Sequence, residues 1–299
     1  MVRLLAAFTL VGFFTAVQPA TAQDLVPGAY TPAPVGFNVL NLVSSLSKGD
    51  VTFDPALPVE DGRGTIVAGA VSVGRLFNLA GRYANVAVIL PLAHGRVSGV
   101  LAGQPQEVTR DGLGDLGFRF GVNLYGARAM TPKEFASYQA GTVVGFSLAV
   151  LVPTGQYDST KFINISTHRW TFRPEIGVSR RMGHWTLEGD LGMVLYTDNT
   201  NYVNGGVKEQ APIVAFQGHV IYTMRPGYWV AFDGNFWHGG RTTVNGLAST
   251  VEQNNSRMGA TFAIPIQRHQ IRIAASSGAY TRLGGDFTSV GVSYSYLWR

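Results

Sequence analysis

Arg169 to Tyr196 read RWTFRPEIGVSRRMGHWTLEGDLGMVLY. Trp170, Phe172, Pro174, Ile176 and Val178 share one face of an extended chain; Arg169, Thr171, Arg173, Glu175, Gly177 and Ser179 share the other. Side chains of a strand alternate between faces, so a period of two gives one apolar and one polar surface. Arg181-Met182-Gly183 interrupts the pattern. It resumes in a second strand, which carries Glu188 and Asp190 on its polar face. The stretch predicts two long antiparallel strands joined by a tight turn.

The same alternation recurs on both sides. Leu116, Phe118, Phe120, Val122 and Leu124 oppose Asp115, Gly117, Arg119, Gly121 and Asn123. Val290, Val292, Tyr294, Tyr296 and Trp298 oppose Ser289, Gly291, Ser293 and Ser295. The pattern predicts strands near 36–46, 64–78, 82–92, 113–125, 140–152, 168–180, 184–196, 212–224, 227–238, 255–265, 269–277 and 286–298. Many exceed the roughly 5–6 residues of globular strands and reach the roughly 9–11 that cross a bilayer when tilted. Long connections (47–63, 93–112, 153–167, 197–211, 239–254) alternate with short ones (79–81, 181–183, 225–226, 266–268). Soluble sandwiches have no reason to alternate in this way, whereas outer-membrane barrels do. The expected fold is all-β: a transmembrane antiparallel up-and-down β-barrel of about twelve strands, with the long loops outside and both termini periplasmic.

Composition agrees. Only 14% of residues are charged, against about 25% in soluble domains. Hydrophobic residues make up 46%, with 37 Gly and 11% aromatics. The absence of Cys excludes disulfides and thiolate chemistry. The net charge of +5 is small and scattered, so no nucleic-acid partner is expected. Arg3, the apolar run Leu4–Val17 and Ala20-Thr21-Ala22 form a cleavable signal-peptide pattern. We therefore expect residues 1–22 to be removed and 23–299 to form one barrel domain in the bacterial outer membrane, with its lipids and the barrel-assembly machinery as partners. Gln23–Val35 reads as a flexible periplasmic lead, and Thr131-Pro132-Lys133-Glu134 as a helix start in the one long periplasmic connection. Tyr125, Trp170, Trp185, Tyr196, Tyr222, Tyr228, Trp229 and Trp298 gather near strand ends, where aromatic girdles meet the lipid headgroups.

A charge on the lipid face at mid-bilayer costs roughly 2–4 kcal/mol for Arg or Lys. Arg169, Arg173, Glu175, Glu188, Asp190, Asp233, Arg257 and Arg272 are therefore expected to face the lumen. There they form either a selective constriction or an ion-pair network that fills a closed barrel. Glu188 and Asp190 are expected beside Arg169 and Arg173. Tyr157, Asp158 and Asn164 are candidate ligand contacts at the outer mouth. No metal-ligand spacing, phosphate loop or paired nucleophile and base is evident among the six His, and no cofactor is expected. His219 reads as a hydrogen-bonded lumen residue.

Several stretches carry a resemblance: Gly112-Leu-Gly-Asp-Leu116, Asn123-Leu-Tyr-Gly126, Pro153-Thr-Gly-Gln-Tyr-Asp158, Asn164, Arg169-Trp170, Arg173-Pro-Glu-Ile-Gly-Val-Ser179, Gly218-His219, Gly239-Gly-Arg241 and Arg257-Met-Gly259. Over about residues 110–299 the chain resembles the MetA-pathway of phenol degradation family of outer-membrane transporters. His168 stands where that family's pattern has Asn. The resemblance implies a barrel that passes small aromatic or other hydrophobic solutes. With no energy-coupling segment evident, such flux is passive. A non-conducting structural or surface-interaction barrel and an outer-membrane lipid hydrolase are the competing readings.

Overall fold

The computed structural model describes residues 26–53 and 59–299. The expected signal peptide lies outside the described residues, as do positions 23–25 of the expected lead. In chain order the strands are β1 (Asn38–Thr52), β2 (Val59–Leu79), β3 (Arg82–Leu101), β4 (Gln104–Leu113), β5 (Leu116–Tyr125), β6 (Thr142–Val152), β7 (Thr171–Met182), β8 (Trp185–Tyr196), β9 (Asn199–Tyr202), β10 (Gly206–Gln210), β11 (Ile213–Arg225), β12 (Tyr228–Gly239), β13 (Thr242–Val244), β14 (Leu247–Ala248), β15 (Gln253–Ile266), β16 (His269–Tyr280) and β17 (Gly284–Trp298). Twelve of them (β1–β3, β5–β8, β11, β12 and β15–β17) pair with their neighbours in an antiparallel ring. The first strand closes on the last, from Asn38 opposite Trp298 to Thr52 opposite Gly284. Closure satisfies every ladder, leaving no strand edge in the lipid.

All twelve expected strands are present. The loops differ more from expectation. Residues 93–112, expected as a connection, are the outer end of β3 and most of β4, which folds back on β3 from Leu92–Leu113 to Leu101–Gln104. Both faces of this extension meet water, so its sequence has no apolar face to mark it as a strand. Likewise, β9 and β10 form a hairpin within 197–211, and β13 and β14 form one within 239–254.

Leu46, Val73, Phe118, Ile176, Leu191, Phe216, Phe232, Met258 and Val290 are all exposed, and all point outward. An apolar belt that runs around the barrel is the surface that lipid covers. Trp185 packs on Tyr222 at 4.8 Å, and Tyr296 stacks on Trp298 at 5.8 Å, both at the short-turn end. Two expected girdle residues are instead interior. Trp229 is buried, with the Arg272 guanidinium 5.5 Å from its ring centre. Tyr196 lies under Arg169 at 4.0 Å. Strand parity explains both: Trp229 shares its face with Asp233, and Tyr196 shares its face with Asp190.

The Thr131 helix start is a single turn, α1 (Pro132–Phe135), closed by reciprocal Thr131 and Glu134 bonds. The Thr131 N–H and hydroxyl hold the Glu134 carboxyl below its usual range.

The expected flexible lead is corrected over residues 26–35. Pro27, Gly28, Tyr30, Pro32, Ala33 and Pro34 are buried, and the segment lies inside the barrel. Val35 N–H donates to the Met130 carbonyl (2.9 Å), and Gly36 N–H to that of Leu76 (2.8 Å). The Asn123 amide donates to the Tyr30 carbonyl (3.3 Å). Three prolines lack an N–H, so fewer buried donors need partners. The Tyr30 ring rests on the cross-strand pair Gly145–Gly177. A Cβ at either position would come within 2.0 or 2.1 Å of the ring.

Candidate functional site

The lumen has two levels. Near the short-turn end, register aligns Glu188 (β8), His219 (β11) and Asp233 (β12) in one row. Glu188 accepts from Ser179 Oγ through Oε1 (2.8 Å) and from Gly28 N–H through Oε2 (2.6 Å). His219 Nδ1 lies 2.8 Å from Asp233 Oδ1, and the Thr261 hydroxyl donates to Asp233 Oδ2 (2.8 Å). His219 Nε2 is 3.8 Å from Asp190 Oδ2. The His219 imidazole is thus enclosed by carboxylates, and the N-terminal segment is fastened to this level through Gly28.

Above it, Arg119 (β5), Ala149 (β6) and Arg173 (β7) form a second row. Arg119 Nη2 lies 3.7 Å from Glu175 Oε2, and Arg173 Nη2 lies 3.6 Å from Glu175 Oε1. The Ser147 hydroxyl also donates to Glu175 (3.0 Å). A cavity of about 350 Å³ opens here, walled by Ile89, Leu151, Ile213, Tyr196 and Trp237, with Arg119, Arg169, Arg173, Glu175, Lys208 and Gln210 among its polar groups. Arg169 is buried and donates through Nη2 to Gln210 Oε1, while its Nε and Nη1 have no acceptor.

The expected pairing of Arg173 with Glu188 and Asp190 is corrected: Arg173 pairs with Glu175. Antiparallel register sets Glu188 opposite Ser179 and Asp190 opposite Gly177, several residues nearer the short turn than Arg173. Arg257 is buried but lies apart from the cavity, donating to Ser276, Ser289 and the Phe287 carbonyl. Arg272 donates to Gln270 (2.8 Å).

The three outer-mouth candidates build their own loop and do not line the cavity. Tyr157 stacks on His168 at 4.5 Å and donates to the Asn201 carbonyl. Asn164 accepts from Asp158 N–H and donates to the Asp158 carbonyl. Asp158 takes the Lys161 ammonium (2.7 Å) and both Thr160 donors. Lys161, then Thr160, hold its carboxyl far below the usual range.

Sequence reading passed over Gly28, Tyr30, Arg119, Lys208, Gln210 and Trp237 as site residues. Arg119 does have a sequence signal, since it is the one charged residue on the polar face of 117–123. Trp237 shares parity with Asp233, which marks it as inward. Nothing local marks Tyr30, because the glycines that seat it are more than a hundred residues away.

The sequence model of the family described as "Putative MetA-pathway of phenol degradation" matches residues 47–267. No curated protein matches the chain. Among solved structures, an outer membrane channel from Pseudomonas putida F1 superposes with a TM-score of 0.77 at 18% identity, covering 92% of this chain and 100% of that one. The β domain of the Bordetella autotransporter BrkA gives 0.51 at 10% identity, covering 87% and 98%. The transport unit of the Escherichia coli autotransporter AIDA-I gives 0.50 at 11%, covering 87% and 90%. At these identities the likeness is one of fold.

Proposed function

From the premise that the chain belongs to the MetA-pathway of phenol degradation family of outer-membrane barrels, we propose that it is a passive outer-membrane channel for small aromatic solutes. The carrying observation is the lumen cavity of about 350 Å³, with its wall of Ile89, Leu151, Ile213, Tyr196 and Trp237. A cavity of roughly 150 Å³ holds benzene, so one ring with substituents fits. Apolar walls with a few polar groups are the usual lining of a small-molecule site. Export by the signal peptide 1–22, assembly by the barrel machinery and contact with outer-membrane lipids complete the reading. A lipid hydrolase needs a hydroxyl nucleophile beside its base. His219 meets Asp233 and Asp190 instead.

One observation favours the non-conducting alternative: residues 26–35 occupy the periplasmic half of the lumen. Planar-bilayer recording separates the two. The channel reading expects discrete ionic currents that phenol interrupts in a concentration-dependent way. Folded protein that carries no current, or current indifferent to phenol, refutes it.

A further inference from the structure

Every connection at the short-turn end carries or adjoins an arginine: Arg82, Arg128, Arg181, Arg225 and Arg268 in chain order. Arg180 stands beside Arg181, and all six are exposed. Across these connections the one acidic side chain is Glu134, which lies 3.6 Å from Arg128. Arg82, Arg180, Arg181, Arg225 and Arg268 meet no carboxylate at ion-pair distance among the described residues. The loop end is built differently. There Arg63 lies 3.9 Å from Asp50, Arg96 3.6 Å from Glu107, Lys161 2.7 Å from Asp158 and Arg241 3.4 Å from Glu252. These loop cations are matched with acids; the short-turn cations are not.

Position indicates the partner. The β7–β8, β11–β12 and β15–β16 hairpins are consecutive around the ring. Thr223 N–H donates to the His184 carbonyl (2.8 Å), joining the first turn to the second. Gly227 abuts the third hairpin, since a Cβ there would come within 2.6 Å of Pro265. Arg180 continues the outward stripe of Ile176 and Val178. A bulge after Thr223 sets Arg225 opposite Tyr228, and the guanidinium lies 3.9 Å from that ring. Tyr228 shares its face with the exposed Val230 and Phe232. Both cations thus stand at the edge of the apolar belt, level with the Trp185–Tyr222 pair. Aromatic residues of this kind mark the headgroup level. An arginine there lays its stem along acyl chains and holds its head at the phosphate, where its planar donors suit two oxygens at once. A soluble acidic partner would need the charge but not the apolar stripe that leads to it. We propose that this arc, through Arg180, Arg181, Arg225 and Arg268, binds the headgroups of anionic phospholipids in the leaflet that the short turns enter. Short turns of outer-membrane barrels are periplasmic, so that leaflet is the inner one. The site goes beyond the channel reading and holds whether or not the barrel conducts.

Isothermal titration of the detergent-folded full chain with dioctanoyl phosphatidylglycerol and dioctanoyl phosphatidylcholine tests the headgroup on one pair of acyl chains. The anionic lipid should bind about fivefold tighter. Fivefold corresponds to about 1 kcal/mol, the scale of one arginine near an anionic lipid surface. The preference should collapse in 1 M salt, where the screening length falls to about 3 Å. Arg180→Gln with Arg225→Gln and Arg268→Gln should bring the ratio below twofold. Arg96→Gln with Arg241→Gln, at the loop end, should leave it unchanged. Unboiled gel mobility verifies that each variant is folded. Equal affinity for the two lipids in the wild-type protein overturns the proposal without recourse to any variant. So does a preference that survives the triple substitution, or one that the loop-end pair removes equally, since overall charge would then be its source. Binding of a soluble oligoglutamate alongside equal lipid affinities assigns the arc to an acidic periplasmic protein and overturns the lipid site.

Discussion

Glu188 is one of the residues that tie the N-terminal segment to the wall, and replacing it should loosen that segment by a calculable amount. Both carboxylate oxygens act as acceptors, one for Gly28 N–H at 2.6 Å and one for the Ser179 hydroxyl at 2.8 Å. Glu188→Gln keeps the shape. Its amide oxygen still accepts from Gly28, and its amide nitrogen donates to the Ser179 oxygen, so only charge assistance is lost. That difference is about 1 kcal/mol, or roughly fivefold in the docking equilibrium. Glu188→Ala instead leaves the buried Gly28 N–H without an acceptor, which costs about 1–3 kcal/mol, or roughly 5- to 150-fold. The chain has no cysteine, so Ala29→Cys supplies a single half-buried thiol beside the Gly28 bond. A maleimide too bulky for the lumen reacts with it only when the segment undocks. The labelling rate should rise in the order wild type, Gln, Ala. Equal rates in all three backgrounds would refute the claim that this bond holds the segment in place.

Four further outcomes are expected. Protein folded in mild detergent should migrate differently on a gel before and after boiling, because a closed barrel resists cold detergent; identical migration would contradict closure. An epitope inserted at Asn204, in the β9–β10 turn, should be accessible on intact cells, and one at Gly183 should not; the opposite labelling reverses the topology. Arg173→Ala should shift the reversal potential in a salt gradient toward cation preference, since it removes a positive charge from the cavity row; an unchanged potential in a conducting barrel excludes Arg173 from selectivity. The Asp158 carboxyl is depressed in the folded loop relative to the usual 3.8. Its stabilisation is therefore complete above that value and is lost as pH falls below it toward the folded value; amide-exchange protection of Thr160 should be flat from neutral pH to about 4 and decline in more acid solution.

The barrel was legible because lipid imposes a strict rule. Every crossing strand must show one apolar face, so Leu116–Leu124, Trp170–Val178 and Val290–Trp298 announce themselves at a period of two. Where water bathes both faces the rule lapses. The outer end of β3 and most of β4 therefore read as a loop, although backbone pairing alone makes them strands. Facing direction follows from parity, and Arg169, Arg173, Glu188, Asp190, Asp233 and Arg257 are all buried. Partnership does not follow from parity. It depends on register, which sets Asp190 opposite Gly177, four residues from Arg173, and leaves Arg173 beside Glu175 of its own strand. That is why Glu175, and not Asp190, meets Arg173. The seat of Tyr30 is more remote still, because it is defined by two glycines on different strands and by nothing in the sequence around Tyr30 itself.

Barrel size explains why the lumen has these two levels. Eight strands enclose a space that side chains fill, and sixteen or more enclose a water channel. Twelve fall between, leaving a volume that inward side chains alone do not close. Here the chain fills the lower part with its own backbone, at Gly28 to Pro34, and leaves the upper part as a cavity between Trp237 and the Arg119–Ala149–Arg173 row. A solute moving inward meets the cavity first and the segment second, so the two act in series. On the proposed function, the upper level sets affinity and the lower sets passage. Glu188 substitutions should therefore speed passage without changing the affinity for phenol, whereas Trp237→Ala should lower that affinity without altering the labelling rate at Ala29→Cys. If either set of variants moved both quantities together, the two levels would be one coupled element. The segment would then be part of the binding site and no longer a separate closure beneath it.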